Sequence, residues 1–145
     1  MKKSKKKYLA FLDIAITEIV GQRLQTILAK DYAKKINGDV IFYSTETYGS
    51  FKNLQVLKQK INEDSEFDGV IFYSILQFCY GGKIESEILK RILKKKVKLI
   101  FVRENIEINN LTQLKSKLIE LAYFQKTHKS LIENIIKNFI KIGKV

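Results

Sequence analysis

Residues 69–74, GVIFYS, make the most hydrophobic run of the chain. The run is continuous rather than alternating, so it reads as a strand buried on both faces at the centre of a parallel sheet. Working outward, YLAFLDIAI (8–16), DVIFYS (39–44) and VKLIFV (97–102) read as three further strands. Helical periodicity fills the gaps. GQRLQTILAKDYAKKI (21–36) places Leu24, Ile27, Leu28, Tyr32 and Ile36 on one face. Asn37-Gly38 stops that helix, since both residues tolerate a left-handed backbone. A second helix is capped by Asn53 and runs to about Ile61, with Leu54, Leu57 and Ile61 inward. A third spans Ile84 to Lys95, with Ile84, Ile88 and Ile92 flanked by Leu89 and Leu93.

The order β-α-β-α-β-α-β predicts an α/β fold. We expect a three-layer sandwich around a mainly parallel sheet of four or five strands, of flavodoxin-like or resolvase-like type. From Leu111 the chain reads as helical to near Ile142. Its last part carries a stripe of Leu131, Ile132, Ile135, Ile136, Phe139 and Ile140. The sequence therefore divides into a basic tail (1–7), an α/β domain (8–110) and a helical extension (111–145). That extension packs on the domain or on a partner subunit; such a stripe most often packs on its own domain, and a homodimer through it is the next reading.

With 46% apolar and 11% aromatic residues in 145, the chain can bury a core. A single cysteine, Cys79, excludes a disulfide framework, and a single histidine, His128, leaves little room for zinc or triad chemistry. No metal or cofactor is implied. No apolar run approaches the roughly 18 residues that cross a bilayer, and MKKSKKKY lacks the apolar core of a secretory signal, so the expected location is cytoplasmic. The formal charge of +12 sits on the ends of the sequence: Lys2, Lys3, Lys5, Lys6 and Lys7 at one, the lysines after Leu111 at the other. Only Arg23, Arg91 and Arg103 are arginines, whereas base-edge and bidentate phosphate readers favour arginine. Specific nucleic-acid binding is not expected; weak non-specific binding through the lysine-rich ends is an alternative.

Three segments resemble a known family. DGVIFYSILQFC (68–79) is similar to the central strand and following loop of the sporadic carbohydrate cluster proteins, typically DGIVFYSLFQLP. LQTILAKDY (24–32) resembles that family's VQNLVIRDY stretch, and STETYGSFKNLQVL (44–57) matches its Ser, Tyr and Leu positions in order. These are bacterial proteins found among surface-polysaccharide genes. The resemblance implies a role beside surface carbohydrate synthesis and a sugar or nucleotide-sugar ligand, without a known reaction. Two departures stand out: Leu12-Asp13 replaces a Ser-Arg pair closing strand 1, and Cys79 replaces a proline.

A more distant likeness is to the catalytic domain of serine recombinases, which has the same strand–helix order. Those enzymes place an arginine and a nucleophilic serine at the end of strand 1, where Asp13 and Ala15 stand here. They place an Asp-Arg pair and another arginine after the central strand, where Ser74, Ile75, Leu76, Gln77 and Phe78 stand. A serine attacking phosphate needs cations for the developing charge, so recombination is excluded.

In an open α/β sheet ligands collect beyond the carboxyl ends of the strands. The candidate ligand-binding residues there are Ser74 and Gln77, followed by Asp13, Ser44, Thr45, Glu46 and Arg103. A serine hydroxyl and an amide suit the hydroxyls of a sugar. Asp13, Glu18, Glu46 and Glu104 are carboxylates at the same strand ends, but without the close spacing of a cation site. Gly81-Gly82 lacks the pattern of a phosphate loop and reads as a turn.

Overall fold

In a computed structural model the described residues are 4–12, 21–45, 59–60, 67–80, 83–84 and 86–127. Five strands form one sheet in the order β2-β1-β3-β6-β7, with β1 at Lys6–Leu12, β2 at Gly38–Thr45, β3 at Gly69–Phe72, β6 at Lys98–Phe101 and β7 at Ile106–Ile108. The first four are parallel, and β7 runs antiparallel at the edge beside β6. A two-stranded antiparallel pair, β4 (Cys79–Tyr80) and β5 (Lys83–Ile84), follows a 3-10 turn at Ile75–Phe78. Three helices accompany the sheet among the described residues: α1 (Gln22–Lys35), α2 (Glu87–Lys94) and α3 (Leu111–Thr127). The α/β sandwich read from the sequence is the fold observed.

The sequence runs are buried as their composition dictates. Every residue of β3 is buried, and so are Leu99, Ile100 and Phe101 of β6. Period-two alternation sorts these side chains onto two faces. Leu9, Phe11, Val70, Phe72, Leu99 and Phe101 meet α2 and α3 on one face, whereas Tyr8, Ala10, Ile71 and Ile100 meet α1 on the other. Leu114 and Leu121 bury α3 in the first of these layers, so the extension packs on its own domain at least to Leu121. The apolar stripe at 131–140 lies outside the described residues, as does most of the helix expected from Asn53; Gln59 and Lys60 are helical.

Several expectations need correction. Helix α1 does not turn Leu24 and Ile27 inward: they are 48% and 53% exposed, and Gln25, Ala29 and Ala33 face the sheet instead. The aromatic ring of Tyr8 already fills this layer, so small alanines let the helix approach. Tyr8 in turn needs glycine on both neighbouring strands. A Cβ at Gly38 would overlap its ring, and one at Gly69 would lie 3.0 Å from it and 2.7 Å from Lys98.

The third helix starts at Glu87, not Ile84, because Lys83 and Ile84 pair with Tyr80 and Cys79. The intervening Gly81-Gly82 has the composition that tight hairpins favour, and no helix begins directly after it. Lys6 and Lys7 belong to β1 rather than to a tail. Strand β3 ends at Phe72, two residues before Ser74.

A bulge shapes the outer strand. Tyr8 pairs with Val40 but Leu9 with Phe42, so Ile41 is the extra residue. The pleat reverses there: Val40 packs on the α1 layer and Phe42 on the opposite one. Ile41 itself is left 49% exposed.

Candidate functional site

The strand order 2-1-3 places the reversal of connection between β1 and β3, where an open α/β sheet forms its crevice. The floor beneath the carboxyl ends is aromatic. Phe72 closes β3, with its ring centroid 5.7 Å from that of Phe11, 5.4 Å from Phe101 and 5.0 Å from Phe78. The Phe78 contact is edge-on and the Phe101 contact stacked, both favoured arrangements of ring quadrupoles.

Above this floor the chain leaves β3 through Tyr73 and Ser74. The ladder to the β6–β7 turn continues, with Val102 N–H donating to the Phe72 carbonyl at 3.0 Å and Arg103 N–H to that of Tyr73 at 2.8 Å. This brings Glu104 against the start of the 3-10 turn. Ser74 Oγ donates to Glu104 Oε2 at 2.9 Å, and Ile75 N–H donates to Oε1 at 2.6 Å. One carboxylate therefore clasps the hydroxyl and the backbone of the crossing point with both of its oxygens. Arg103 Nη1 lies 3.6 Å from the same Oε2, and its side chain is 51% exposed. Asn105, at φ 55, turns the chain back into β7.

Of the sequence candidates, Ser74 is buried and held by Glu104, and Arg103 is paired with Glu104 at the rim. Ser44 and Thr45 end β2 on the far side of β1. Thr45 is exposed, whereas Ser44 is fully buried and its hydroxyl makes no hydrogen bond. Gln77 lies in the 3-10 turn. Asp13 and Glu46 fall outside the described residues, as does Glu18. No cluster of metal-ligating side chains occurs among the described residues. Sequence reasoning placed Glu104 at a strand end but missed its clasp on Ser74, a contact across 30 positions that no local pattern announces.

Ser74 donates to the Glu104 carboxylate, and Arg103 lies beside that same carboxylate. What remains is a polar rim over an aromatic floor, with one buried hydroxyl to spare at Ser44.

No family model matches the chain, and no curated protein matches it either. Among solved structures it is similar to the N-terminal catalytic domain of TP901-1 integrase, at 17% identity and a TM-score of 0.55. The match covers 87% of this chain and 98% of the integrase domain. The fold is resolvase-like. The likeness extends to the architecture, and at the end of strand 1 the sequence offers Leu12-Asp13-Ile14-Ala15, with neither serine nor arginine.

Proposed function

We propose that the chain is a non-catalytic interaction module built on a recombinase-like scaffold, and that it pairs with a second copy through the outward face of α3. The observation that carries this reading is the exposure of Ile119 and Tyr123, at 70% and 71%, one turn apart on a helix whose opposite side is buried through Leu114 and Leu121. Large apolar side chains aligned in this way mark an association surface. The missing serine and arginines at the strand ends argue against strand exchange while leaving the scaffold intact. Light scattering tests the proposal. The full chain is expected at twice the mass of one chain, and Ile119→Glu with Tyr123→Glu at the single mass. A wild type that is already monomeric, or a variant that stays dimeric, removes it.

A second reading is favoured by Ser44. A fully buried hydroxyl without a partner, separated from the Ser74–Glu104 clasp by β1, suits a ligand that brings its own hydroxyls. This supports a sugar or nucleotide-sugar ligand at the strand ends and, through the resembling segment at 68–79, a place beside surface-carbohydrate synthesis. Nucleotide sugars would then raise the melting temperature of the wild type but not of Ser44→Ala or of Ser74→Ala with Gln77→Ala. An equal rise in all three proteins would remove this reading.

A further inference from the structure

We draw no further inference here: the strongest candidate, the exposed apolar side chains Leu24 and Ile27 of α1 with Ile41 and Tyr43 of the outer strand β2, is a surface patch for which nothing in the structure shows what covers it.

Discussion

At the carboxyl ends of the strands a cluster of phenylalanines lies beneath a carboxylate clasp, whereas at the amino ends a single tyrosine ring lies between two glycines under a cap of lysines. The first end is closed by side chains packing on side chains, the second by a side chain packing on bare backbone. Both exclude water from the sheet, but they respond differently to change. Removing a ring from the first leaves a hole that its neighbours only partly refill. The fully buried Phe72 touches Phe11, Phe78 and Phe101, so Phe72→Ala should cost about 3–5 kcal/mol in denaturant unfolding. A cost under about 1 kcal/mol would mean that the floor collapses freely and is no rigid base for a site.

The clasp above that floor gives a finer contrast, because two buried serines lie near the carboxyl ends of two strands of the same sheet. Ser74 donates to Glu104, while Ser44 makes no hydrogen bond. Ser74→Ala removes a hydrogen bond to a charged group and should cost about 1.5–3 kcal/mol. Ser44→Ala removes a desolvated hydroxyl and should be neutral or stabilising by up to about 1 kcal/mol. Equal losses at the two sites would contradict the contrast. A stabilising Ser44→Ala that also abolished a nucleotide-sugar response would mark Ser44 as a residue kept for binding at some expense of stability.

How much of this was legible in the sequence follows from the range of each interaction. The strands were readable because GVIFYS and VKLIFV are buried on both faces, which a continuous apolar run announces locally. The helix stop at Asn37 was readable for the same reason, and the residue adopts φ 59. The facing of α1 was not. Leu24 and Ile27 fit the helical period as well as Ala29 and Ala33 do, and the choice is made by the Tyr8 ring on another element. The edge strand β7 is only three residues long and defined by its pairing with β6, so periodicity had little to act on. At the candidate site, Ser74 was found through its position after the central strand, but its partner Glu104 arrives through the register of β6 beside β3.

The amino end also predicts the smallest effect, and here the sign of a proton equilibrium decides the outcome. Burial raises the pKa of Tyr8 above its ordinary value of 10.0, and the nearby carboxylates of Glu107 and Asp68 and the Tyr32 phenol push it in the same direction. Tyr32 and Tyr43 shift the same way, each chiefly through burial. A phenol that ionises later in the folded chain than in the unfolded one leaves the unfolded state binding fewer protons over that interval. The stability it contributes is therefore complete below about pH 10 and is lost as pH rises from there through the folded pKa. Lysines lose their charge over a similar range, so the wild-type curve mixes two effects. The comparison with Tyr8→Phe separates them, because phenylalanine keeps the ring between Gly38 and Gly69 while removing the titrating group. The melting temperature of Tyr8→Phe should fall less steeply than that of the wild type above about pH 10 and in parallel with it near neutrality. Curves that stay parallel throughout would place the Tyr8 hydroxyl in solvent rather than within the field of Glu107 and Asp68.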